Sequence, residues 1–181
     1  MGSVAADDRA AASAPALRHP LVAIGAVGVV VIVVDQLTKW WAVSTLADPP
    51  KIIDLVWTLR LRLIYNYGTA FSLTSDSGPI VSVVALVVIA VLVWSGRNQR
   101  SKPVMVGYGL IVGGTIGNLI DRVAREGDGF ARGGVVDFVD LQWFPVFNVA
   151  DTALTVGIAL LVALSFFGDH FDEPERTARD E

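Results

Sequence analysis

Asn148 and Asp151 stand at the mouth of a long apolar run, FPVFNVADTALTVGIALLVALSFF (144–167). An ionised carboxylate at a bilayer centre costs at least ~2.5 kcal/mol on insertion scales, so acids here need a reason. Four further stretches pose the same problem. VVDQLTKWW carries Asp35 and Lys39, and NYGTAF carries Asn66 and Gly68. GGTIGNLIDR sets Asn118, Asp121 and Arg122 on one helical face, and GGVVDFVD carries Asp137 and Asp140. The chain has no cysteine, and its two histidines, His19 and His170, lie in flanking polar segments. A disulfide, a thiolate metal site and a cysteine nucleophile are thereby excluded, and a Ser-His triad or His-based metal site has no histidine near these motifs. What remains is a carboxylate pair. Two close carboxylates share a proton; the ionised one activates a water, and the protonated one donates to a carbonyl oxygen. This chemistry needs no metal or cofactor, and none is expected.

Each motif also has a purely structural explanation. Asp35 and Lys39, at i and i+4, can neutralise one another. Asn66 and Gly68 suit an ordinary turn, and Asp121 beside Arg122 suits a structural ion pair. Asn148 suits a helix N-cap, with Asp151 favoured in the first turn by the helix dipole. Asp140 is expected in solvent. Taken together, however, Asp121, Asp137 and Asp151 fall at one membrane face, where polar groups mark functional sites. From spacing alone, Asp121 and Asp137 are equally eligible as the partner of Asp151.

The elements that must position these groups follow from hydropathy. The chain is 53% hydrophobic with a mean hydropathy of +0.56, too apolar for an ordinary soluble domain. Apolar runs at 21–34, 79–94, 103–120 and 144–167 each span a bilayer once their flanks are included, a crossing taking about 20 residues. The sequence predicts one membrane domain over 20–167, between a disordered head (1–19) and an acidic tail (168–181). The first run is not read as a removable signal peptide, since DQLTKWW rather than a small-residue cleavage site follows it. The tail holds six acids and two arginines and so accounts for the whole net charge of −4. Nothing points to nucleic acid, and no obligate protein partner is evident.

Four spans put both termini on one side. Arg9, Arg18, Arg97, Arg100, Lys102, Arg176 and Arg179 then lie opposite Lys39, Lys51, Arg60, Arg62, Arg122, Arg125 and Arg132. The count is even, and the weight of short loops and the first helix favours termini inside. Between the first two spans, Trp57, Leu59, Leu61, Leu63 and Tyr65 alternate with Thr58, Arg60, Arg62 and Asn66. That period of two predicts a strand lying on the membrane surface. Its leucines, with Trp143 and Phe144 of the other outer loop, are expected to hold acyl chains.

The motifs DQLTK (35–39), NYGTAF (66–71), GGTIGNLIDR (113–122), VVDF (135–138) and FNVAD (147–151) resemble, in order, those of the lipoprotein signal peptidases, or signal peptidase II family. The resemblance covers about residues 20–167. It implies an all-α membrane protein of four transmembrane helices with a small β-structured extracytoplasmic loop. It also implies an aspartic endopeptidase of the bacterial inner membrane, with cytoplasmic termini and its site at the extracytoplasmic face. The implied substrates are diacylglyceryl-modified prolipoproteins, cut before the lipidated cysteine, with membrane lipids as neighbours. By this resemblance the catalytic dyad falls on Asp137 and Asp151. Asp35, Lys39, Asn66, Gly68, Asn118, Asp121, Arg122 and Asn148 are implied to support the site or bind substrate. The glycine-rich stretch 124–134 is longer than the family pattern leads one to expect. A different class, a small ion- or proton-coupled transporter with Asp35, Asp121 and Asp151 as a relay, accounts for acids in spans but not for the surface strand. A structural assembly factor leaves the carboxylates without a task.

Overall fold

The computed structural model describes residues 19–68, 78–127 and 129–167. The polar head up to residue 18, Thr69 to Phe71 of the NYGTAF motif, and the acidic tail lie outside the described residues. Four helices are long and apolar enough to cross a membrane: α1 (Pro20–Leu46), α2 (Gly78–Gly96), α3 (Lys102–Ala124) and α4 (Val149–Phe167). At 1.5 Å per residue even the 19-residue helices α2 and α4 reach about 28 Å, close to the hydrocarbon thickness of a bilayer. Pro at the first turn of α1 and α3 starts each helix where a backbone N–H has no partner to lose.

Helix α3 packs against the other three, and small residues let it do so. Lipid offers no hydrophobic drive between helices, so close van der Waals contact must hold them. Along α1 the approach recurs every turn: Gly109 lies against Ile24 and Val27, Gly113 against Gly28 and Val31, and Gly117 against Asp35. A Cβ on Gly113 would stand 2.7 Å from the Gly28 carbonyl oxygen, and one on Gly117 would stand 2.7 Å from Asp35 Oδ2. On the opposite flank Gly107 meets Leu161, and Gly114 meets Ala150 and Leu154 of α4. Most of α2 is exposed, the surface expected of a lipid-facing helix.

The C-terminal ends of α1 and α3 and the N-terminal ends of α2 and α4 meet at one end of the bundle, where a three-stranded antiparallel sheet covers them. Its strands are β1 (Ile52–Val56), β2 (Leu59–Asn66) and β3 (Val135–Asp140), in the order β1-β2-β3. Val136 and Phe138 pack on Ala42 and Leu46 of α1, with Ile53, Leu61, Leu63, Val139 and Val149 around them. Trp41 meets Phe138 edge to face, with ring centroids 6.4 Å apart.

Several expectations are corrected here. The stretch read as one strand from Trp57 is a hairpin whose turn is Trp57–Thr58, preceded by a strand that the sequence did not announce. The clean alternation of β2 fails because its register with β3 shifts between Leu61 and Ile64. Leu61 and Leu63 pack on the core rather than forming an open acyl-chain surface. Strand β3 is buried almost throughout, so it shows no amphipathic alternation. Helix α4 begins at Val149 rather than 144 because Phe147 is held in a bridge to Val139, its N–H donating to the Val139 carbonyl at 3.0 Å. That bridge delivers the next residue, Asn148, beside Asp137.

Candidate functional site

Asp137 projects from β3, and Asn148 and Asp151 from the start of α4. Asn148 is the residue before the helix and Asp151 its third residue, and they cap each other. Asn148 Oδ1 accepts the Asp151 N–H at 2.9 Å, and Asp151 Oδ2 accepts the Asn148 N–H at 3.1 Å. This reciprocal capping box is the structural role expected from sequence. It also fixes the second carboxylate. The Asn148 amide is free to donate elsewhere, to Asp137 Oδ1 at 2.7 Å, Asn118 Oδ1 at 3.0 Å and the Val136 carbonyl at 3.3 Å. Asn148 therefore bridges the two aspartates.

The remaining carboxylate oxygens are held by two more amides. Asn66 Nδ2 donates to Asp137 Oδ2 at 3.1 Å, and Asn118 Nδ2 donates to Asp151 Oδ1 at 2.8 Å. Asn66 is oriented by the turn after β2: its Oδ1 accepts the Gly68 N–H at 2.9 Å, and Gly68 sits at φ +97°, a conformation natural to glycine. The ordinary-turn reading of NYG is thus correct, and the turn aims an amide at Asp137. Arg122 steadies the same segment through Nη1, which donates to the carbonyls of Asn66 and Gly133 at 3.4 Å each.

Behind these amides lies a fully buried ion network. Lys39 Nζ is 2.8 Å from Asp35 Oδ2 and 3.0 Å from Asp121 Oδ2, with Lys39 and Asp35 0% exposed and Asp121 1%. Lys39 also donates to Asn118 Oδ1 at 2.9 Å, which turns the Asn118 amino group towards Asp151. Asp35 Oδ1 accepts the Ala150 N–H at 2.9 Å and so caps α4 from a neighbouring helix. Asp121 Oδ2 accepts the Val136 N–H at 3.1 Å, and its Oδ1 lies 2.9 Å from Arg125 Nε.

Two readings from sequence fail. Asp121 pairs with Lys39 and Arg125, not with its neighbour Arg122, because successive helical residues point about 100° apart. Asp140 is not solvated: it is 1% exposed, with Arg60 at 2.8 Å and Arg62 at 2.5 Å and the Gln142 N–H at 2.7 Å. Burial opposes its charge, but the hydrogen bonds from Arg60 and Gln142 and the charge of Arg62 prevail and hold its carboxyl below the usual range. Sequence reasoning also missed Arg125 and Gln36. Arg125 follows Asp121 by four residues, a spacing that could have revealed it. Gln36, which donates to Asp35 Oδ2 and the Gly117 carbonyl at 3.1 Å each, left no signal.

Every expected site residue thus falls in one connected cluster. Among the buried or half-buried aspartates of the described residues, Asp137 and Asp151 alone make no ion pair. Asp137 is 2% exposed. Burial first, then the negative charge of Asp151, pushes its carboxyl up to about 7, against the hydrogen bonds of Asn66 and Asn148 and the more distant charge of Lys39. A carboxyl near neutrality beside a second carboxylate is equipped for acid–base chemistry.

The family model described as signal peptidase (SPase) II matches residues 27–167. A lipoprotein signal peptidase of Mycobacterium bovis (strain BCG / Pasteur 1173P2) is 39% identical over 168 residues, covering 93% of this chain and 83% of its own length. That of Mycolicibacterium smegmatis is 42% identical over 146 residues, covering 81% and 62%. A solved bacterial membrane enzyme superposes with a TM-score of 0.67 at 26% identity, over 87% of this chain and 94% of that one. The carboxylates at the covered end of this bundle therefore sit in a multi-pass membrane protease, and the chain belongs to the signal peptidase II family.

Proposed function

We propose that the chain removes signal peptides from diacylglyceryl-modified prolipoproteins, cutting before the lipidated cysteine with Asp137 and Asp151 as an aspartic dyad. The observation that carries this reading is the Asn148 bridge between two carboxylates that no cation neutralises. Asp151 sits at the positive end of α4 and accepts the Asn148 N–H and the Asn118 amide, an arrangement suited to a carboxylate. As the ionised partner it takes a proton from water, which attacks the scissile carbonyl carbon. Asp137, whose carboxyl is pushed up to about 7 so that its protonated form is well populated at neutral pH, donates to the carbonyl oxygen as the tetrahedral intermediate forms. Collapse of that intermediate returns a proton to the leaving amine. Asn66, Asn118 and Asn148 position the dyad, and Lys39, Asp35, Asp121 and Arg122 hold those amides and the strand ends.

In this reading the covered end of the bundle faces out of the cytoplasm and both termini face in. A signal helix lies in the bilayer beside α2, α3 and α4, where a cavity of about 110 Å³ is lined by residues including Ser82, Thr115, Asn118 and Leu154. The exposed side chains of Trp57, Trp143 and Phe144, 94%, 70% and 52% accessible, suit the headgroup layer. Asp35 and Asp121 are not read as a proton relay with Asp151, since Lys39 and Arg125 already pair with them. The test is incubation of the purified protein in lipid vesicles with a lipidated prolipoprotein and its unlipidated form. Release of signal peptide from the lipidated form alone is expected; equal cleavage of both forms would contradict the role given to lipid.

A further inference from the structure

A second cavity of about 480 Å³ opens at the end of α3, lined by Tyr65, Tyr67, Ala124, Arg125, Glu126 and Gly134. Gly134 is required for its shape: a Cβ there would meet Tyr67 Cζ at 2.9 Å and Tyr65 Cβ at 3.0 Å. Both tyrosines remain exposed, at 41% and 46%, so their rings are available to a ligand. Arg125 and Glu126 both line the cavity. Arg125 is engaged by Asp121, whereas Glu126 is exposed and makes no ion pair among the described residues. Two aromatic rings beside an exposed, unpaired carboxylate suit a cation.

The cavity is also close to the proposed dyad. Gly134 precedes Asp137 by three residues on the chain entering β3, which at about 3.3 Å per residue is about 10 Å. An extended peptide covers that distance in three residues. The cavity beside Ser82 and Leu154 lies among the helices, while this one is lined by the end of α3 and the strand ends, so in the proposed orientation it falls on the exported side of the scissile bond.

We infer that the Tyr65–Tyr67–Glu126 cavity is a subsite for a basic side chain, lysine or arginine, at the second to fourth residue after the scissile bond. The inference rests on the peptidase reading above. It is tested with the full chain in vesicles and a lipidated prolipoprotein series carrying Lys, Gln or Glu at each of those three positions. At one position Lys is expected to lower KM about three- to fivefold relative to Gln, the scale of an exposed cation–aromatic contact with a carboxylate. Glu at that position raises KM, and kcat does not change. Glu126→Gln, a surface change, should level the series, and Glu126→Lys should invert it. A flat series in the unmodified enzyme, or a Lys preference that survives Glu126→Gln, would overturn the inference. So would a Glu126→Gln effect equal for all substrates and dependent on vesicle phosphatidylethanolamine, which would assign the cavity to a lipid headgroup. If no substrate in the series is cut at all, the peptidase reading itself fails, and the subsite with it.

Discussion

Two pairs of aspartates sit within one cluster and are treated in opposite ways. Asp35 and Asp121 are closed into an ion network by Lys39 and Arg125. Asp137 and Asp151 receive only neutral donors, from three asparagine amides and one backbone N–H. Breaking a buried carboxylate–cation pair is costly, because losing either partner leaves an uncompensated charge. Asp137, held by amides alone, has its carboxyl pushed up to about 7 by burial and by the charge of Asp151. The difference is the reason for proposing Asp137 rather than Asp121 as the partner of Asp151, a choice that spacing could not make.

The largest stability effect should come from Lys39→Met. It strands Asp35 in the interior and leaves Asp121 with Arg125 alone, and removing one partner of a buried ion pair costs about 3–5 kcal/mol. A thermal melt in detergent should show a fall large enough to reduce the folded yield. A normal melt would mean that the two networks are not distinct.

Asn148→Ala acts on both sides of the comparison. It removes the cap of α4, at about 1 kcal/mol, and the bridge between the dyad carboxylates. Activity should therefore fall much further than the modest drop in melting temperature explains. Proportional losses in kcat and stability would reduce Asn148 to a cap alone.

The pH dependence sharpens the contrast. The Asp137 carboxyl is pushed up to about 7, whereas an unfolded aspartate titrates near pH ~4. Between those values the native state holds a proton that the unfolded chain releases, so this group's contribution to stability declines as pH rises and levels off above about 7. The melting temperature should fall across that window, and Asp137→Asn should flatten the fall. Cleavage should decline on the alkaline side of about 7, as the general acid is lost. An activity that keeps rising to pH ~9 would be incompatible with a shared proton.

The smallest effect should come from Gly117→Ala, whose new Cβ would press on Asp35. Overpacking of this kind costs about 1–3 kcal/mol and should appear in the melt, with cleavage by the folded fraction little changed.

Hydropathy and small-residue spacing made the four helices and their close contacts legible in sequence, because both are local patterns. The motifs also exposed the polar cluster, since an acid in an apolar run has few excuses. The sheet was only half visible. Strand β3 is buried almost throughout and interrupted by Asp137, so it carries no period, and the Leu61–Ile64 register shift breaks that of β2. Burial of Asp140 depends on two arginines some 80 residues away, and no local signal predicts such a contact. The pairing of Lys39 with Asp121 is equally remote, which is why spacing alone left Asp121 and Asp137 equally eligible.

The most direct test of the central claim sets Asp137→Asn, Asp151→Asn, Asp35→Asn and Asp121→Asn side by side, each assayed for cleavage of a lipidated prolipoprotein and for thermal stability. Loss of general acid–base catalysis lowers turnover about 10²- to 10⁴-fold. The first two variants should show that loss while melting near or above the unmodified protein, whereas the last two should melt lower and keep turnover in the fraction that folds. Normal turnover with Asn at position 137 or 151, or complete loss in a stable Asp121→Asn protein, would contradict the assignment.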